Sequence, residues 1–143
     1  MTARVLEKNR LTKAHYEALS LLRYNLRHFL RFSEAAARAA GIPPQQHQAL
    51  LAVKGWPGRE QVSVGEIAER LHLQHHSAVG LVDRLVRRRL VRRVRAEGDR
   101  RRVNVELTAQ GNALVERLSA EHLRELWEIG PQLRALLKVM SDL

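Results

Sequence analysis

The sequence predicts a mainly α-helical chain with one small β-hairpin, and three observations carry that prediction. Apolar residues recur at helical spacing along most of the 143 residues. The period changes to two over a short segment after residue 90, and arginines crowd into that segment and the stretch before it. With 45% hydrophobic and 28% charged residues the composition is that of a folded chain, not a disordered one. Its length suits one domain, or two small coupled ones, with a real core.

From Ala14 to Ala40, the positions Leu19, Leu22, Leu26, Phe29 and Ser33/Ala36 step by threes and fours, the period of one helix face. Gly41 stands where a left-handed terminating residue is wanted, and Ile42-Pro43-Pro44 cannot prolong the turn. Leu22, Phe29, Leu30 and Phe32 spread around more of the circumference than a one-sided helix needs, which points to a second packing partner such as another chain. Pro44 suits the first turn of a second helix running through Gln48 to Val53. Lys54 to Glu60 reads as a loop, in which Trp56 is expected to cover the core rather than contact a ligand. Ser63-Val64-Gly65-Glu66 has the form of a capping box, so a helix starts at Ser63 and carries Ile67, Ala68 and Leu71 on one face. His72 to His75 turn the chain before Ala78, Leu81, Val82, Leu85 and Val86 resume the helical period from about His76 to Arg88. Two short helices joined by such a turn form a helix-turn-helix.

Leu90 to Arg95 then alternates imperfectly, Ala96 to Arg102 is turn-like with Gly98 at its tip, and Val103 to Leu107 alternates cleanly. This is a hairpin. Thr108 caps a helix from Ala109 to Trp127, which Gly130-Pro131 is expected to break, leaving a last helix lined by Leu133, Leu136, Leu137 and Met140. A helix-turn-helix followed by a hairpin is a winged helix-turn-helix, here assigned to residues 45–108 of a single 143-residue chain. The flanking segments, 10–41 and 109–143, carry more apolar surface than one small winged helix covers and are assigned to helical dimerisation.

Function follows from where the charge sits. Of a formal +10, ten arginines against two acids (Glu97 and Asp99) lie between Arg84 and Arg102, 10 − 2 = +8, and the rest of the chain is nearly neutral. A one-sign cluster is an electrostatic footprint for a polyanion, nucleic acid before an anionic membrane. Only 4% of residues are aromatic, against a base-stacking platform for single strands. The absence of cysteine excludes disulfides, thiolate catalysis and thiol redox switches. No Gly-rich phosphate cradle, HExxH or nucleophile elbow occurs, so an enzyme and a bound cofactor are not expected. No apolar run reaches membrane-span length and Met1 to Arg10 has no leader core, so a cytoplasmic protein is expected.

A helix of the second kind fits the major groove of B-DNA, and a hairpin beside it reaches the neighbouring minor groove. Gln74, His75, His76 and Ser77 open that helix and are assigned to the DNA interface, with Gln74, His76 and Ser77 placed to reach base edges. Gly80 either lets the backbone approach DNA or fits against the preceding helix. Arg84, Arg87 and Arg88 are assigned to phosphates, with Asp83 orienting Arg87. Arg101 is the minor-groove candidate, directed by Asp99, with Arg100 and Arg102 on the backbone; the helix starting at Ser63 offers its amides to a further phosphate.

Asp99-Arg100-Arg101 followed by Val103 to Leu107, Thr108-Ala109-Gln110-Gly111 resembles the wing signature of the MarR family of bacterial transcription regulators, Asp-x-Arg and then Leu-Thr-x-x-Gly. Leu81-Val82-Asp83-Arg84-Leu85 resembles that family's recognition helix. The resemblance covers essentially the whole order of elements. It implies an obligate homodimer made by the first and last helices, binding a pseudo-palindromic double-stranded site and repressing nearby genes until a small ligand intervenes. One departure is Arg89, where the family usually has Gly: the helix end is either less sharply turned or holds a non-Gly residue in a left-handed conformation.

Tyr16, Tyr24, His28 and Trp56, each also an ordinary core or surface residue, are the positions assigned to an effector pocket, with Arg23 or Arg27 to meet an aromatic or phenolic acid. His72-x-x-His75-His76 keeps open a metal-responsive alternative, and protonation of His75 or His76 near neutral pH would strengthen DNA binding. A non-specific winged helix for RNA or architectural DNA binding is the other alternative; it would share the basic footprint without needing dimerising ends.

Overall fold

In the computed structural model, residues 10–96, 98 and 101–141 are described. The elements are α1 (Lys13–Ala39), α2 (Pro44–Lys54), β1 (Val62–Ser63), α3 (Val64–Arg70), α4 (His75–Arg87), β2 (Val91–Arg95), β3 (Val103–Leu107) and α5 (Ala109–Ser141). The fold is thus mostly helical with a small antiparallel sheet in the order β1-β3-β2. The chain divides into two compact units, one spanning Glu34–Ala120 and one formed by the described residues up to Ser33 and from Glu121 onward.

The first unit holds the winged helix-turn-helix around one core. Ile42, Leu50 and Val53 meet Ile67 from α3, Leu81, Val82 and Leu85 from α4, and Val62, Val91 and Val105 from the three strands. The α4 residues fall at the spacing that places them on one face. Trp56 packs against this core from the loop after α2, as its position in sequence suggested.

Three helices end in the same way. Ile42 N–H donates to Ala37 O at 3.1 Å, Leu73 N–H to Ala68 O at 2.8 Å and Leu90 N–H to Leu85 O at 3.1 Å, each bracketing a left-handed residue. Those residues are Gly41, His72 and Arg89, with φ of 80°, 55° and 59°. Glycine takes this conformation freely and histidine is enriched in it, but arginine has no such preference. The recognition helix therefore stops sharply at a conformational cost, the second of the alternatives the missing glycine allowed. The left-handed stop at His72 also accounts for that histidine as a turn residue.

Two sequence expectations are corrected. A third strand, β1, was not foreseen: Val62 pairs with Val105 and Ser63 with Asn104. Two residues show no periodicity, and only the partner strand reveals them. Gly130-Pro131 does not break the last helix, because α5 continues to Ser141 with Pro131 inside. Leu118, His122, Glu125, Ile129, Leu133 and Leu136 are buried or half-buried at steps of three and four, so the stripe stays in phase across the proline. Burial along that stripe offsets the lost backbone hydrogen bond, a penalty of about 3 kcal/mol in an isolated helix.

In the second unit, His122 is buried, edge-on to Phe29 and Phe32, with its Nε2 2.7 Å from Ser33 Oγ. His28 Nε2 lies 3.3 Å from Glu125 Oε1. No helix among the described residues is long and apolar enough to cross a membrane.

Candidate nucleic-acid interface

The helix-turn-helix is built by local bonds that the sequence encodes. Glu66 N–H donates to Ser63 Oγ at 3.1 Å and Ser63 N–H donates to Glu66 Oε1 at 3.0 Å, the reciprocal capping box. Glu66 also pairs with Arg59, and Arg102 Nη2 lies 4.0 Å away. The hydrogen bond from Arg59 is the main reason its carboxyl is held down to about 2; partial burial opposes it and the bonds from Ser63 add to it. This corrects the assignment of Ser63 to a phosphate. Its hydroxyl closes the cap, and an ionised carboxylate already occupies the helix terminus that a phosphate would need.

The start of α4 is different. Gln74 is its N-cap residue with no side-chain cap bond, and Gln74, His75, His76 and Ser77 are all exposed. A 13-residue helix thus presents an uncapped N-terminus and four polar side chains outward. Gly80 in the next turn is not forced by packing: an added Cβ would meet only the Arg84 guanidinium, at 3.4 Å. That favours the open-approach reading of Gly80 over a fit against α3.

The arginines are not equivalent. Arg88 Nη2 donates to Gly41 O at 2.6 Å and Nη1 to Gln46 Oε1 at 3.4 Å, so the guanidinium assigned to a phosphate ties the end of α4 to the end of α1. Arg92 Nε donates to Glu106 Oε1 at 2.6 Å, and the two stand directly opposite across the β2–β3 ladder. That pairing is the main cause of the lowered Glu106 pKa, against partial burial and with help from Gln61. Arg93 pairs with the Asp83 carboxylate. Asp83 was expected to orient Arg87, but Arg87 Nε reaches only its main-chain oxygen, at 3.4 Å. Arg84, Arg87, Arg95 and Arg101 are exposed. Asp99 and Arg100, and with them the proposed direction of Arg101 by Asp99, lie outside the described residues.

The base of the wing is locked to the recognition helix by a feature the motif contained without explaining. Thr108 Oγ1 donates to Arg89 O at 2.7 Å and accepts from Gly111 N–H at 3.1 Å, while Thr108 N–H donates to Leu90 O at 3.1 Å. Gly111 presses so closely on the Leu90 carbonyl that any Cβ there would collide with it. The Thr-x-x-Gly spacing is thus a helix cap and a close backbone approach in one device.

The residues assigned to an effector pocket are distributed over both units. Trp56 carries the Arg70 and Arg59 guanidinium carbons over its ring, at 4.5 Å and 5.2 Å. Tyr16 and Tyr24 line a groove on α1 with Lys13, Glu17, Ser20 and Leu21, and Tyr24 stacks on His28 at 6.2 Å. Neither Arg23 nor Arg27 lines that groove.

Residues 40–102, which contain the whole helix-turn-helix and the start of the wing, match the MarR family model. This stretch of the chain is MarR-like. Sixty-two of its residues are 37% identical to the HTH-type transcriptional regulator PecS of Dickeya dadantii, covering 43% of this chain and 37% of that protein. The match spans less than half the length of the curated relatives it finds. Over the full fold, a MarR family protein from Bacillus stearothermophilus superposes with a TM-score of 0.71 at 25% identity, covering 99% of this chain and 97% of that one. A mutant of S. aureus MepR bound to an oligodeoxyribonucleotide shares the fold, with a TM-score of 0.64 at 21% identity over 93% and 98% of the two chains. The MarR winged helix predicted from the wing motif is therefore the fold observed.

Proposed function

We propose that this MarR-like chain is a transcription regulator that binds double-stranded DNA sequence-specifically as a homodimer and represses from a pseudo-palindromic operator. The observation that carries the reading is the open N-terminus of α4, where Gln74, His75, His76 and Ser77 are exposed and no side chain caps the helix. Such a terminus combines unsatisfied amides with side chains able to read base edges. The exposed Arg84, Arg87, Arg95 and Arg101 extend the contact to phosphates and the minor groove. Two-fold pairing would set the two reading helices one helical turn apart, about 34 Å. A regulator of this kind works where its DNA is, in the cytoplasm of a bacterium.

The finer part is control by a small aromatic or phenolic acid, for which the α1 groove offers two tyrosine rings and Lys13. The decisive experiment titrates salt while measuring affinity for duplex from the gene's upstream region and for scrambled duplex. The regulator reading expects a dimer with a strong preference for the former, Gln74→Ala eroding the preference, and benzoate or a hydroxybenzoate releasing the complex. Equal affinity for both duplexes would replace it with a non-specific nucleic-acid module.

A further inference from the structure

The wing arginines divide by face. In β2, Val91, Arg93 and Arg95 point to one side and Arg92 and Val94 to the other. Val91 is buried in the core, so its face is the one turned toward the helices. Arg93 therefore projects along the core side of the wing, where its guanidinium meets Asp83 on α4. The Arg95 side chain, two residues further along the same face, makes no hydrogen bond or ion pair among the described residues. Arg92, on the opposite face, is held by Glu106.

Resting on the reading of the chain as a sequence-specific DNA binder, we propose that Arg93 is a positioning residue and not a DNA contact. Its ion pair with Asp83 sets the wing's reach relative to the recognition helix, and so couples minor-groove to major-groove readout. The pair joins the two elements that would enter adjacent grooves, within one compact unit. An acid on a DNA-reading helix repels phosphate and weakens binding, so Asp83 needs a compensating task, and holding Arg93 is the one its carboxylate performs. Both side chains are near 40% exposed, at 45% for Asp83 and 39% for Arg93, so the pair contributes little to stability and its effect is to select one wing orientation.

The test compares Arg93→Gln, Arg93→Lys, Asp83→Asn and Arg95→Gln in the full-length protein, by anisotropy on upstream and scrambled duplexes across a salt series, with thermal melts alongside. A phosphate contact reduces the magnitude of the log–log salt slope by about 0.9 when it is removed. Arg93→Gln is expected to leave that slope and the scrambled-duplex affinity unchanged while lowering affinity for the upstream duplex roughly ten-fold, the scale of one lost specific contact. Arg93→Lys restores much of the preference. Asp83→Asn lowers the preference as well, although removing an acid should by charge alone tighten both complexes. Arg95→Gln is the contrasting case, with a slope smaller by about 0.9 and a weakening shared by both duplexes.

If Arg93→Gln behaves like Arg95→Gln, or if Asp83→Asn merely tightens both complexes, the positioning role is overturned and the DNA-binding reading stands. A wild-type protein with no preference between duplexes overturns that reading, and this proposal with it.

Discussion

The two compact units handle their apolar residues in opposite ways. In Glu34–Ala120, Ile42, Leu50, Ile67, Leu81 and Leu85 are all essentially inaccessible, and three strands and five helical segments close over them. In the other unit, the buried apolar side chains among the described residues are Ala18 and Leu136, while Leu19, Tyr24, Leu26, Leu30, Leu123, Leu137 and Met140 are exposed and Trp127 is 84% exposed. The first unit buries most of its large apolar side chains within the chain, Leu51 and Val103 being exposed. The second leaves a series of large apolar residues for something else to cover, which under the proposed function is a second copy. Similar residue types at similar helical spacing can thus specify either a core or an interface, and exposure tells them apart.

The sharpest way to break that contrast is to truncate the core of the first unit. Leu81→Ala should lower the unfolding free energy by about 3 kcal/mol, since it removes a fully buried side chain from a close-packed site. A loss under about 1 kcal/mol by denaturant titration would show that the site collapses and that the core is loosely specified.

Arg89→Gly acts at the end of the recognition helix with the opposite sign. Relieving a left-handed arginine should stabilise the protein by about 1 kcal/mol, less the greater freedom of glycine in the unfolded chain. A destabilised variant would mean that the Arg89 side chain contributes more than its backbone costs.

The pH dependence is smaller and its sign is fixed by Glu66. Its folded pKa, about 2, lies below the unfolded value, so its contribution is fully present above about pH 5 and drains away as pH falls through 4 toward 2. Glu66→Gln should flatten part of that acid limb in denaturant midpoints measured from pH 7 down to 3. An unchanged limb would transfer the acid sensitivity to Glu106 and the other carboxylates.

Trp127→Ala should have the smallest effect on the chain's own stability, within about 0.5 kcal/mol, because its ring is almost wholly exposed. Sedimentation should nevertheless show weakened self-association. Unaltered association would exclude this part of α5 from the proposed interface.

Much of the first unit was legible because its signals are local. The Ser63–Glu66 capping box, Gly41 as a helix stop, Pro44 at a helix start and the switch from period 3.6 to period 2 at the hairpin each depend on residues within one turn of one another. The polar opening of α4, exposed in the structure, was legible for the same reason. The bracing of Arg88, Arg92 and Arg93 was not, because their partners stand 47, 14 and 10 residues away and a list of arginines does not reveal which ones are already neutralised. The alternation of β2 held one clue: Arg93 shares a face with buried Val91.

Residue order alone therefore determined the helix periods, their caps and stops, the position of the wing and the concentration of positive charge there, since each arises from backbone geometry and side-chain chemistry over a few residues. Only the tertiary structure decided that Val62 and Ser63 become a third strand, that α5 runs on through Pro131, that Gly111 must lack a side chain and that Asp83 faces Arg93. Those outcomes depend on surfaces meeting across the fold, where burial and close approach outweigh what a local segment would do by itself.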